Sequence, residues 1–369
     1  MPGHIPAELV LLIFKLLGRG GETFKNFSLV CNAWRTLSLP FLYRSLCIET
    51  RRSLLACTTL MKNAPHIRPL IEEINIHYDP TYGDDPEDNA IELDDADIKE
   101  FIRGFTRLHT LFCRGFVLLD IPLVLPTSSI TTLYIQDRSF DAHELYMLLE
   151  ASASVVRSLT LDDVIAHRPT AVDISQMPAI NMEALEELFL IRFDGLLPTK
   201  LRTQRLKILW CKDWYDTLRD ALPDSLVTLA ITEDWGSDDQ RQFSTENLSV
   251  AWGHRSSSLE AITNLITKFA LPYKIRHLEV MLSSEGTLRW GTSPIDLGIV
   301  DHFEAFILNL HNNGSLRKLT FTIEPTYWRI RGGVGVVDRF SKLTPLGIFD
   351  FRVDSRSVLD PQHRIAPWP

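Results

Sequence analysis

Residues 130–135 read Ile130-Thr131-Thr132-Leu133-Tyr134-Ile135, and residues 108–113 read Leu108-His109-Thr110-Leu111-Phe112-Cys113. Both obey one rule: apolar, two residues, apolar, one residue, apolar. The last two apolar positions are two apart, the period of a strand with one buried face. The rule recurs at Ile71/Ile74/Ile76, Val156/Leu159/Leu161, Leu185/Leu188/Leu190, Leu206/Leu209/Cys211, Leu226/Leu229/Ile231, Ile275/Leu278/Val280, Leu316/Leu319/Phe321 and Leu346/Phe349/Phe351. Six of the nine gaps between middle residues lie between 20 and 30, and a gap of 49 leaves room for an insertion or a missed repeat. Helical patterns precede several matches: Ile98, Phe101, Ile102 and Phe105; Leu145, Leu148 and Leu149; Leu259, Ile262, Leu265, Ile266 and Phe269; Phe303, Phe306, Ile307 and Leu310. Helix then strand, repeated, predicts an α/β chain with parallel strands on one side and helices on the other.

Before the repeats lies a different kind of stretch. Pro6 suits a first helical turn, Glu8 favours the positive end of the helix dipole, and Gly18 offers a C-terminal cap. Ile5, Leu9, Leu12, Ile13, Leu16 and Leu17 form one helical stripe. Val10, Leu11 and Phe14 lie off it and are apolar too, so this helix needs cover on more than one side. One side is assigned to the chain's own core and the other to a partner, with Val10 and Phe14 read as exposed. Thr23 and Asn32 are placed to cap two further helices, and Pro40 is expected to stop the third. Three such helices in about forty residues bury too little to stand comfortably alone.

These residues resemble an F-box. That family runs Leu-Pro-x-Glu-Leu, an Ile-Phe pair, Leu-Val-Cys, Trp-Arg and a closing Pro-x-Leu-Tyr. Here stand Ile5-Pro6-Ala7-Glu8-Leu9, Ile13-Phe14, Leu29-Val30-Cys31, Trp34-Arg35 and Pro40-Phe41-Leu42-Tyr43, in that order. Ile5 replaces a leucine, and Gly20-Gly21-Glu22-Thr23 stands where an Asp-Leu pair is common. The recurring hexads are similar to leucine-rich repeats, but lack the asparagine that forms a ladder in standard repeats. Together the resemblances imply an F-box-like three-helix module over 1–50, then an irregular leucine-rich-repeat-like α/β solenoid over 51–369. Residues 51–65 are read as the joint, with Leu54, Leu55, Leu60 and Met61 on a packing helix.

The F-box resemblance implies the substrate-recognition subunit of a Skp-cullin-F-box ubiquitin ligase, in cytoplasm or nucleus. The module would bind the Skp adaptor and through it a cullin, with Pro6, Leu9, Ile13, Leu17, Val30, Trp34 and Leu42 as contacts. The repeats would hold a target protein. The other reading is a repeat scaffold whose N-terminal helices cap the solenoid.

Three stretches are expected to be long loops: 79–97, 234–258 and 325–337. The first holds nine acidic residues, read as a solvated loop or a contact for a basic segment. The others carry Trp235, Trp252, Trp328 and Arg329, residue types that dominate interface energies, and these are the candidate target contacts. Composition narrows the rest. At 45% hydrophobic and 23% charged, the chain is of an ordinary globular kind. A net charge of −9 disfavours nucleic acid as a partner. Five cysteines without a C-x-x-C pair point to reduced thiols, not zinc or disulfides. The apolar run Leu9–Leu17 is far shorter than the ~20 residues that cross a bilayer. Motifs for nucleophilic, metal or nucleotide chemistry are absent, so neither a catalytic residue nor a cofactor is assigned.

Overall fold

The computed structural model describes residues 6–16, 21–77, 101–102, 104–115, 129–167, 178–191, 193–195, 201–211, 223, 225–232, 242–252, 259–282, 300–323 and 340–353. Contacts divide the chain into two units, Met1–Leu185 with Asp194–Lys200, and Glu186–Phe193 with Leu201–Pro369. Both are mixed α/β, and their strand ladders are parallel.

The first unit opens with α1 (Ala7–Leu16), α2 (Gly21–Ser28) and α3 (Asn32–Leu42), followed by β1 (Ser45–Ile48) and α4 (Arg51–Asn63). It continues with β2 (Glu73–His77), β3 (Thr110–Arg114), β4 (Thr132–Asp141), α5 (Ala142–Ser152), β5 (Ser158–His167), β6 (Ile180–Asn181) and the short β8 (Asp194–Gly195). Strands β1 to β5 pair in sequence order, and β8 adds to the far part of β5. The register joins like with like: Leu46, Ile74, Leu111, Leu133 and Leu159 face one another across successive strands. All five are buried. On the same face α5 packs against β4 and β5, burying Leu145, Leu148 and Leu149. Reciprocal capping boxes start α4 (Thr50 with Ser53) and α5 (Asp141 with Glu144), each satisfying two otherwise unpaired donors.

A local backbone feature also recurs at β3, β4 and β5. Two residues past the third apolar position, Gly115, Asp137 and Asp163 adopt left-handed backbone with φ of 73°, 54° and 54°. Glycine enters that region freely, and aspartate at a modest cost. Arg114 Nε meets Asp137 Oδ2 at 2.5 Å, and the Gly115 N–H donates to the Gln136 carbonyl at 3.0 Å.

The second unit stacks β7 (Glu187–Ile191), β10 (Ile208–Cys211), β11 (Ser225–Thr232), β12 (Ser244–Trp252), β13 (His277–Leu282), β14 (Lys318–Ile323) and β15 (Phe349–Val353), with a short β9 (Leu201–Arg202). Again one column is continuous: Leu188, Leu209, Leu229, Leu248, Leu278, Leu319 and Phe349. Helix α6 (Leu259–Phe269) lies between β12 and β13 in sequence, and α7 (Val300–Asn312) between β13 and β14. Their apolar faces (Leu259, Ile262 and Ile266; Phe303, Ile307 and Leu310) are buried.

All ten recurring hexads thus end in strands. The structure corrects five local readings. Residues 234–258 are not one long loop, because β12 occupies 244–252. Its first position is Thr245, a hydroxyl residue, so the apolar rule skipped it, although Leu248 and Val250 are fully buried. The last hexad also departs: Leu346 sits exposed in a 3-10 turn, while Phe340 and Leu343 fill the interior. The third helix runs through Pro40 to Leu42, the proline standing in its last turn. Asn32 does not cap it; the N-cap is Cys31, without a side-chain bond. Thr23 does not cap the second helix either, because α2 already starts at Gly21. Stretches 79–97 and 325–337 lie outside the described residues.

Leu248→Ala and Leu278→Ala should each lower stability by roughly 2–5 kcal/mol, as for any fully buried leucine. Urea unfolding checks this. A Leu248 truncation that stayed within ~0.5 kcal/mol, as loop substitutions do, would remove β12 from the sheet.

Candidate functional site

Helices α1 to α3 enclose a small core of their own. Phe14 is at its centre. Its ring meets Phe24 at 5.4 Å, Phe27 at 5.0 Å, Trp34 at 6.0 Å and Phe41 at 5.6 Å between centroids. Phe24 stacks on Phe41 at 5.2 Å, and Phe27 meets Trp34 edge-on at 5.3 Å. Val10 and Phe24 are buried with Phe14, and Leu37 and Leu42 pack around them. Edge-to-face and offset ring pairs each add ~0.5–1.5 kcal/mol beyond area burial, which helps so small a module hold together.

This reverses the expected role of two residues on α1. Val10 and Phe14 were read as exposed; they are the core. Of the stripe read from spacing, the described side chains Leu9, Leu12 and Ile13 face outward. Leu9 is 52% exposed, Leu12 53% and Ile13 42%. Leu29 and Val30, between α2 and α3, are 77% and 63% exposed. The cause is that spacing alone gives two apolar faces on α1, and the aromatic rings of α2 and α3 choose the narrower one.

The expected adaptor contacts therefore divide. Pro6, Leu9, Ile13 and Val30 are exposed, whereas Trp34 and Leu42 are half-buried against the ring cluster. Leu12 and Leu29 join the exposed set; both were visible in the sequence, one on the stripe and one in the Leu-Val-Cys segment. Leu17 lies outside the described residues. Of α4, Leu54 and Met61 are buried while Leu55 and Leu60 are exposed. Seven of the thirteen exposed large hydrophobics among the described residues thus fall between residues 9 and 60. Scattered exposed leucines need no explanation, but a concentration of them marks a surface that excludes water when a partner covers it.

The candidate target contacts are less well placed. Trp252 closes β12, paired with Leu282 on β13. Trp235, Trp328 and Arg329 lie outside the described residues.

The sheet faces opposite the buried columns carry polar groups. In the first unit the Tyr134 hydroxyl donates to Asp162 at 2.7 Å. In the second, fully buried Glu279 accepts from Ser249 Oγ at 3.2 Å and Thr322 Oγ1 at 2.9 Å. His277 Nε2 and Thr320 Oγ1 lie 2.9 Å apart. Burial first, then the charge of Lys318, pushes the His277 pKa below its ordinary 6.5. The Cys47 thiol is pushed up to about 11 by burial and by Glu49, and burial raises Cys57 and Cys113 as well. Such thiols are mostly protonated at neutral pH and are poor nucleophiles. Among the described residues, no group of three or more His, Cys, Asp or Glu is placed to hold a metal. No described helix is long and apolar enough to cross a membrane.

No protein-family model and no curated protein matches this chain.

Two outcomes are expected. Phe14→Ala should cost roughly 3–5 kcal/mol, whereas Leu9→Gln and Leu12→Gln should stay within ~0.5 kcal/mol, read by thermal and urea melts. For His277 the folded state prefers the neutral ring. The unfolded chain therefore binds more protons below pH 6.5, and stability falls as pH drops through that value. His277→Gln should flatten that part of the stability–pH curve; an unchanged slope would remove His277 from the account.

Proposed function

We propose that this chain is the target-binding subunit of a Skp-cullin-F-box ubiquitin ligase. The observation that carries this reading is the pairing of F-box-like residues with an exposed apolar surface on the same helices. Pro6, Leu9, Ile13 and Val30 belong to the F-box pattern, and each of them is exposed. Phe14, Phe24 and Trp34 hold the module together from within. A surface of Leu9, Leu12, Ile13, Leu29 and Val30 suits burial against an adaptor, where each large side chain removed from water contributes about 1.5–3 kcal/mol.

The parallel ladders support the second half of the reading, a leucine-rich-repeat-like domain that holds a target. One apolar column runs in register through each unit. The left-handed residues Gly115, Asp137 and Asp163 occur at one position relative to three successive strands, as a repeat requires. In this reading the chain performs no bond chemistry. It holds a target beside the ubiquitin-loading enzyme, so that a bimolecular encounter becomes local.

One observation favours a scaffold with a helical cap instead. The Arg44 carbonyl, just after α3, accepts from the N–H groups of both Glu72 and Glu73 at 2.8 and 3.0 Å, so the module runs directly into β1. For that reason a deletion of the first fifty residues is a poor test, since it removes a strand. Point changes on the exposed face separate the readings. Leu9→Asp combined with Leu12→Asp should keep the fold by circular dichroism and weaken binding to the organism's Skp adaptor by ~2 kcal/mol or more. A folded wild-type chain that does not bind the adaptor in a calorimetric titration would sink the ligase reading and leave the scaffold.

A further inference from the structure

A recurring backbone bond marks the entry to the strands. The residue just before or at the strand start donates its N–H to the carbonyl at the same position of the preceding repeat. This bond joins Glu72 to Arg44, Lys207 to Glu186, Arg276 to Glu246 and Arg317 to Arg276, each at 2.8 Å, and His109 to Glu72 at 3.0 Å. The side chains at these positions are neighbours on adjacent repeats. Where neighbouring positions are both ionisable they are mostly opposite in sign, while Thr131 and Val227 in the same series are neutral. Arg44 Nε is 3.1 Å from Glu72 Oε2, His109 Nε2 is 3.6 Å from the same oxygen, and Lys207 Nζ is 2.6 Å from Glu186 Oε2. Arg276 Nε lies 4.0 Å from Glu246 Oε1, a loose pair.

Arg317 is the exception among these charged pairs. It stands beside Arg276, cation next to cation, a placement that destabilises a sheet. Among the described residues no carboxylate pairs with Arg317. Lys318 follows it and shares the Arg276 carbonyl, donating at 3.1 Å, while its ammonium is 3.1 Å from Asp350. Just before Arg276 come Lys274 and Tyr273; the lysine Nζ is 5.7 Å from the tyrosine ring centre, and Tyr273 is 62% exposed. The Arg276 side chain is 54% exposed. One corner of the second unit therefore gathers four cations and an open aromatic ring, in a chain whose net charge is −9.

We propose that this corner, Tyr273 with Arg276 and Arg317, is the docking surface for an extended acidic segment of a target protein. Carboxylates would supply the missing negative partner between the two guanidiniums, and forked pairs are the strong form of that contact. Arginine and tyrosine are also the residues that dominate binding at interfaces. That the occupant belongs to a ligase target rests on the receptor reading; the charge pattern does not.

The test is fluorescence anisotropy of a fluorescein-labelled peptide of alternating glutamate and glycine, titrated with the full chain. Saturable binding that weakens with added salt is expected. The double variant Arg276→Ala/Arg317→Ala should bind about tenfold more weakly, with Arg276→Lys/Arg317→Lys intermediate and Lys62→Ala unchanged. Circular dichroism verifies each fold, and Arg317→Ala alone serves if the double variant is unstable. No saturable binding by the wild type, equal losses in Lys62→Ala, or equal binding of the glutamine-for-glutamate peptide overturns the proposal. Adaptor titration of the same arginine variants should match wild type, so failure of this surface and failure of the receptor reading are told apart.

Discussion

Register is the constraint on which both units depend. In a parallel ladder a slip of one residue sends every side chain to the opposite face. Here a slip between β13 and β14 would place Lys318 or Thr320 where Leu319 now meets Leu278. Because the apolar column runs through successive strands, each inner strand is held by both neighbours, and the penalty for a slip is shared along the stack. Nearest-neighbour stacking of this kind explains why the spacing between strands varies so widely without disturbing the ladder. The connecting segments differ in length, but each returns the chain to the same start.

That constraint also explains what was legible in the sequence. Ten strands were visible because two positions, two residues apart, had to be apolar in each. Of the strands longer than two residues, β1 and β12 were not. In β12 the leading position is Thr245, whose hydroxyl lies 3.3 Å from the Val227 carbonyl and 3.0 Å from the Asn247 carbonyl. Hydrogen bonding lets a polar residue occupy a buried place. In β1 the same rule holds at Tyr43, Leu46 and Ile48, but those residues also complete the N-terminal helical pattern, and the two readings overlapped.

The N-terminal surface was legible only in part. Periodicity showed that α1 has more apolar residues than one face requires. It did not show which face the protein keeps for itself, since that depends on rings contributed by Phe24, Phe27 and Phe41. The placing of Arg317 beside Arg276 was also beyond the sequence, where the two lie 41 positions apart and become neighbours only through strand pairing.

The joint at Arg44 carries a mechanical consequence. A flexible tether would let two recognition surfaces sample a cloud of separations, so that their mutual concentration is set by chain statistics. Here α3 ends at Leu42 and β1 begins at Ser45, leaving no slack between them. The Arg44 carbonyl grips two amides at the entry to β2, and the Arg44 side chain reaches Glu72 as well. Whatever seats on the helices thereby takes a set bearing towards the sheet of the first unit. Orientation at this joint is built into the fold and costs no search.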